Sequence, residues 1–348
     1  MKSKVCVVGH FGTGQNLLNG QTVKTKIVAQ ELERRFGEAQ VLKIDTHGGA
    51  KTLLKAPLQV FRALRKCENV VILPAHNGLR VYAPLLAFMR RFFKNRKIHY
   101  AVIGGWLPEF LTKRPRLAKA LKTFDGIYVE TNVMKRALEA QGFANVWVMP
   151  NCKYLDALDE SELVYPTSEP YRLCTFSRVM REKGIEDAVD AVKNVNERFG
   201  RTVYTLDIYG PVDSAQTAWF DVLRKTFPDF VAYRGSVPFN KSVETLKDYF
   251  ALLFPTYYDG EGFAGTLIDA LAAGVPVVAS DWRYNAELVD DGETGKIVAT
   301  KDVGALVGAL VEARENDDEW LEMKCRCLAK AKAFRPEAAT EPLALNLR

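Results

Sequence analysis

A chain of 348 residues with 48% hydrophobic and 26% charged residues has the composition of soluble globular domains, which excludes a disordered or fibrous chain. Its length exceeds what one hydrophobic core normally serves, so two domains of roughly 150–180 residues are expected. The formal charge of +6 is unevenly spread, with most of the excess in residues 51–122, including Arg62, Arg65, Lys66, Arg90, Arg91, Lys94, Arg96, Lys97, Arg116 and Lys119. Such a stretch is either a solvated helix face or a surface that attracts an anionic membrane or phosphorylated substrate. Nucleic acid is not an expected partner, because no binding module or basic-aromatic interleaving accompanies the charge.

Short apolar runs rich in Val, Ile and Tyr recur every 25 to 35 residues or so, separated by segments of helical period. In the first half they predict strands near 4–9, 40–45, 69–75, 98–104, 126–130 and 146–149. The run before Gly9 is too short for a signal-peptide core or a membrane span, so a cytoplasmic location is expected. After it, Gly9-His10-Phe11-Gly12-Thr13-Gly14 lacks the spacing of a dinucleotide fingerprint. His76-Asn77 and Gly104-Gly105-Trp106 each end a predicted strand.

Residues 151–170, with clustered acids, Pro166 and Pro170, read as a linker. The second half predicts strands near 172–177, 203–209, 230–234, 251–254, 275–279 and 296–298, then one helix over about 302–332 and a polar tail. The expected domains are 1–165 and 166–332, with the tail 333–348 packing back toward the first. The alternation of strand and helix specifies an α/β class of two Rossmann-like, doubly wound parallel sheets, whose strand ends would face one another across a cleft.

Two stretches carry chemistry. Ser177 to Gly184 joins a strand end to a helix start and holds Arg178, Arg181 and Lys183. Free N–H groups and three cations there suffice to hold a diphosphate without a divalent metal; the plainer reading is a basic helix start paired with Glu182. Phe254 to Ser280 is a βαβ unit whose Gly-rich turn, with Gly260, Gly262 and Gly265, permits close backbone approach to a ligand. It holds Glu261 and, eight positions on, Asp269, which suit sugar and ribose hydroxyls; the alternatives are a helix-start charge and a polar exposed position. The six cysteines are scattered, Cys325-Arg326-Cys327 lacks the second pair of a zinc site, and no Asp-x-Asp occurs, so no metal and no disulfide are expected.

These two stretches resemble the phosphate loop and the E-x7-E region of retaining glycosyltransferases of the GT-B fold, family 4, as found in capsule and exopolysaccharide synthesis. Val148-Met149-Pro150-Asn151, Asp207-Ile208-Tyr209-Gly210 and Asp290 to Gly295 are further matches. The resemblance implies transfer of a sugar from a nucleoside-diphosphate donor, UDP favoured, to a glycan or lipid-linked acceptor hydroxyl, with retention and without a metal. It implies that Arg178 and Lys183 bind the diphosphate and Glu261 the transferred sugar. Gly262, Phe263, Ala264 and Gly265 would line the donor pocket, Asp269 would take the ribose, and Gly20 and Gly210 would approach the donor. His76, Gly105 and Trp106 are acceptor-side candidates, and no general base is assigned. The chain departs from the pattern with Asp269 for the second Glu, Ala264 for Gly, and Cys152 after Pro-Asn. If the basic stretch is more than a solvated helix face, it implies a peripheral location at the inner membrane face. An epimerase on the same fold, or a non-catalytic partner of another transferase, remain the competing classes.

Overall fold

Continuous, unalternating runs of Val, Ile and Ala need burial on both faces, which a parallel sheet between two helical layers provides. Among the described residues of this computed structural model, 3–14, 20–48, 52, 54–154 and 156–347, such runs form twelve strands in two sheets. The first sheet contains β1 (Ser3–Gly9), β2 (Val41–Asp45), β3 (Cys67–Ile72), β4 (Lys97–Ala101), β5 (Gly126–Val129) and β6 (Val146–Val148), in the order β2-β1-β3-β4-β5-β6. The second contains β7 (Tyr171–Phe176), β8 (Tyr204–Tyr209), β9 (Val231–Gly235), β10 (Ala251–Phe254), β11 (Val277–Ser280) and β12 (Gly295–Val298), in the order β12-β11-β10-β7-β8-β9. All paired strands run parallel. Both sheets are therefore doubly wound, as the alternation of elements predicts. β3 ends at Ile72 rather than near 75, ahead of Pro74, which cannot donate to a ladder.

The chain divides into Met1–Tyr154 with Phe334–Arg348, and Leu155–Ala333. The boundary thus falls ahead of the expected 165/166. Residues after Tyr154 are claimed by the second unit: Leu158 N donates to Ala272 O at 3.0 Å, and the Leu163 side chain lies where a Cβ on Gly274 would sit. The proline-containing stretch is docked rather than free. The C-terminal segment belongs to the first unit, where Leu343 and Leu347 share a core with Val5, Val7, Val28 and Met149. Asn69 Nδ2 donates to Leu347 O at 3.1 Å.

The helix expected over 302–332 is two helices, Val303–Glu315 and Asp317–Ala331. Asn316 leaves helical geometry at φ −125°, and Asp317, Asp318 and Glu319 then supply the acids that a new helix start favours. No helix among the described residues is long and apolar enough to cross a membrane.

Candidate functional site

In the second sheet the chain lays β8 and β9 on one side of β7 and β10 to β12 on the other, so the winding direction reverses between β7 and β10. Loops leaving the C-terminal ends of those two neighbours diverge and open a crevice, the usual ligand position in such sheets. Both chemistry-bearing stretches leave the sheet there.

The first loop follows β7 along β8: Ser177 N donates to Tyr209 O at 3.2 Å and Val179 N to Pro211 O at 2.9 Å. A short turn at Arg181–Lys183 then ends on Gly184 at φ +69°, which opens the helix Ile185–Phe199. Glycine is required there twice over. Its φ is left-handed, and a Cβ would sit 2.3 Å from Pro255 O in the second loop. The loops are laced further by Tyr257 N donating to Glu182 O at 2.8 Å.

Contact at the backbone brings the two charged groups together. Lys183 Nζ donates to Glu261 Oε2, with the side chains 11% and 9% exposed. Thr256 Oγ1, buried, lies 2.9 Å from the same carboxylate oxygen and 3.2 Å from Glu182 O, its one proton serving one acceptor at a time. Lys183 Nζ also sits 5.4 Å and 5.3 Å from the ring centroids of Phe254 and Tyr258, within cation–π range of both. Among the described residues Glu182 forms no ion pair with Arg178, Arg181 or Lys183; its carboxylate accepts from Gln216 Nε2 at 2.8 Å. Arg178 is different from Lys183: it is largely exposed and, among the described residues, pairs with Asp213 at 3.4 Å.

Beyond Glu261, the chain passes Gly262 and Phe263 to Ala264, which precedes the helix Gly265–Ala272 and offers no capping side chain to its first N–H groups. Thr266, in the first turn, anchors this helix by donating its hydroxyl to Phe176 O at the end of β7. Asp269 lies in the second turn and is buried. The arrangement offers an anion a lysine and uncapped N–H groups, and offers hydroxyls a carboxylate.

Two residues of the Asp207 to Gly210 stretch have structural reasons of their own. Asp207 is buried in β8 and accepts from Tyr249 Oη at 2.7 Å, Arg234 Nε at 2.6 Å and Arg172 Nη2 at 3.1 Å. Burial raises its pKa, but these three donors prevail and lower it. Gly210, at φ +130°, occupies a place where a Cβ would lie 1.8 Å from Ser177 O. It sets the course of the first loop by close packing.

In the first unit, Gly20 is the exposed first residue of the helix Gly20–Phe36, and among the described residues nothing lies within 4 Å of the position of a Cβ there. Residues 15–19 before it lie outside the described residues. His76 opens the helix His76–Met89, and its ring stacks on Trp106 at 3.8 Å, with Phe110 edge-on at 5.0 Å. Burial first, then Arg114, lowers its pKa. Gly105 adjoins that stack. His76 also borders a cavity of about 950 Å³ with His10, His47, Asn77 and Arg80.

Several side chains stood outside the sequence reading of the sites. His10 bridges Thr22 Oγ1 at 2.8 Å and His47 Nδ1 at 2.9 Å. Asp45, at the end of β2, accepts from Thr13 N, Phe11 N and His47 N. Burial pushes its pKa up, and these hydrogen bonds outweigh it, leaving about 2. Lys24 and Glu130 form a buried pair at 2.6 Å. None of these belongs to a spaced motif; Thr256, a polar residue two positions past the buried strand β10, is the one such side chain whose place in the sequence is a signal.

Known proteins similar to this chain are glycosyltransferases. The family model of Glycosyl transferases group 1 matches residues 170–316. The UDP-N-acetylglucosamine–peptide N-acetylglucosaminyltransferase GtfA subunit of Streptococcus gordonii is 27% identical over 177 residues, covering 50% of this chain and 34% of that protein. The amylovoran biosynthesis glycosyltransferase AmsK of Erwinia amylovora is 25% identical over 217 residues, 61% of this chain and 49% of that one. The chain thus spans a third to a half of the length of these curated relatives. Among solved structures, Anabaena HepE in complex with UDP superposes with a TM-score of 0.72 at 15% identity, over 100% of this chain and 99% of that one. The lipopolysaccharide outer core galactosyltransferase WaaB does so with 0.72 at 14%, with the same coverages. At such identities the likeness is one of fold, the GT-B fold.

Proposed function

We propose that the chain, whose residues 170–316 match the model of glycosyl transferases group 1, transfers a glycosyl group from a nucleoside-diphosphate sugar, UDP favoured, to an acceptor hydroxyl in the synthesis of cell-surface polysaccharide or glycolipid. The observation that carries this reading is the joining of Lys183 and Glu261, one from each motif, at the reversal point between β7 and β10. Lys183 and Arg178 meet the charge that develops on the departing diphosphate, together with N–H groups at the start of the helix Gly265–Ala272. A diphosphate competes with Glu261 for Lys183, and the carboxylate so released accepts from hydroxyls of the transferred sugar. Asp269 takes the ribose. Retention and independence of metal belong to the same proposal, with the leaving phosphate itself receiving the acceptor proton. The relative that uses UDP-N-acetylglucosamine and the neighbour solved with UDP support the choice of base.

The test is nucleotide release from labelled UDP-, GDP- and ADP-sugars with and without candidate acceptors, in the presence of EDTA. Glu261→Ala and Lys183→Ala should each lower kcat/KM by roughly 10²–10³. Release that ignores both substitutions would overturn the assignment, and release abolished by EDTA would overturn the metal-independent form of it.

A further inference from the structure

Residues 51–122 hold sixteen Lys and Arg against two acids, Glu68 and Glu109. Tertiary structure gathers much of this charge. The helices Ala56–Lys66 and Pro115–Leu121 both pack against His76–Met89. Between the latter two runs a groove of about 630 Å³, with Pro84, Ala87 and Phe88 on its apolar side and Arg91, Lys94, Arg116 and Lys119 around it. These four cations are exposed, whereas Arg90 beside them is tied to Asp125 at 3.0 Å.

Apolar side chains stand out from the same surface. Phe88 and Phe92 are 56% and 72% exposed and touch edge to face at 5.7 Å. On the neighbouring helix Ala56–Lys66, Ala56, Val60, Ala63 and Leu64 turn inward, and the outward side shows Leu58 and Phe61 as well as Arg62 and Arg65. Phe61 meets Phe93 at 5.9 Å, linking the two groups. An outward helix face needs only polar residues for solubility. Aromatic and aliphatic side chains interleaved with unpaired cations fit a boundary where acyl chains lie beneath phosphates. A second copy of the same surface is a poor partner, since it would set cation against cation.

We propose that this face of the first unit docks on an anionic phospholipid bilayer, with Phe88, Phe92, Leu58 and Phe61 entering the headgroup layer and the groove between the two helices receiving headgroup phosphates. The proposal is independent of the donor chemistry. It places the first unit on the membrane, within reach of a lipid-borne acceptor.

The experiment is co-sedimentation of the full chain with phosphatidylcholine vesicles, with and without phosphatidylglycerol, over a salt series. Binding is expected only to the anionic vesicles and should weaken as salt shortens the range of surface charge. Each cation at an anionic surface accounts for about fivefold in affinity. The combined change R91E/K94E/R116E/K119E should therefore weaken binding at least about a hundredfold. F88S/F92S should remove the fraction that survives high salt. Equal binding to neutral vesicles, no binding to either, or binding unchanged by the charge reversal would each overturn the proposal. So would heparin or single-stranded DNA bound more tightly than the vesicles. Circular dichroism melting checks that these exposed substitutions leave the fold intact. Stabilisation by a UDP-sugar should be unaffected in both variants, which separates failure here from failure of the donor reading.

Discussion

Lys183 and Glu261 show why a residue-by-residue reading of a site is incomplete. Taken singly, one reads as a cation for a phosphate and the other as a carboxylate for hydroxyls, the roles proposed above. In the structure each is also the other's counter-ion, nine-tenths buried. Removing one partner of such a pair strands a charge and costs about 3–5 kcal/mol, whereas replacing both with neutral residues is often tolerated. Lys183→Met should therefore lower the unfolding free energy in urea by roughly 3 kcal/mol, and Lys183→Met/Glu261→Gln should recover most of the loss while remaining inactive. Full stability in the single variant would mean that the pair is not formed in solution. Asp45 gives a pH prediction. Its carboxylate is held at about 2, below its value in an unfolded chain. Its contribution is present above that unfolded value and is lost as pH falls from about 4 through about 2. The stability difference between the chain and Asp45→Asn should shrink over that window.

Elements meet at the site through glycines more than through side chains. Gly184 lets the loop after β7 lie against Pro255 in the loop after β10, and Gly210 lets the end of β8 pass beneath Ser177. A methyl group at either place must move backbone, not a flexible side chain. Gly184→Ala is expected to displace Lys183 relative to Glu261 and to lower kcat/KM well beyond what its cost in stability explains. Parallel measurement of melting temperature and kinetics checks this. A variant as active as the parent would show that the loops have freedom to adjust. Thr256 works in the opposite sense, as a polar tie between the same two loops. Thr256→Val should keep donor binding at reduced affinity, since the loops remain packed through Gly184.

At the scale of the molecule, the chain leaves the first unit at Tyr154, builds the second, and returns at Phe334. The last fifteen residues therefore stabilise a core formed from the first ones. Leu343→Ala removes a fully buried side chain and should cost about 2–4 kcal/mol. Truncation after Ala333 should unfold the first unit while the second keeps its cooperative transition, read by calorimetry. On the proposed donor chemistry, a UDP-sugar at about a hundred times its Kd should add about 2.7 kcal/mol to the stability of the unit that binds it. A melting temperature raised by roughly 5–10 °C in that transition is the corresponding signal.

Composition and periodicity by themselves determined two doubly wound α/β sheets, because strands buried on both faces must be written as unbroken apolar runs. They also marked the two site loops, because glycine, clustered cations and acids stand out against such runs. Local signals ended there. Lys183 and Glu261 lie 78 positions apart, and their pairing depends on β10 adding beside β7 instead of continuing past β9. The stacking of His76 on Trp106, the docking of Leu158 and Leu163 on the second unit and the break at Asn316 are equally products of packing. Charge on residues 51–122 was legible as a number, but only the tertiary structure decided that Arg91, Lys94, Arg116 and Lys119 line one groove with Phe88. Sequence records which groups are present; the order of strands in a sheet decides which of them meet.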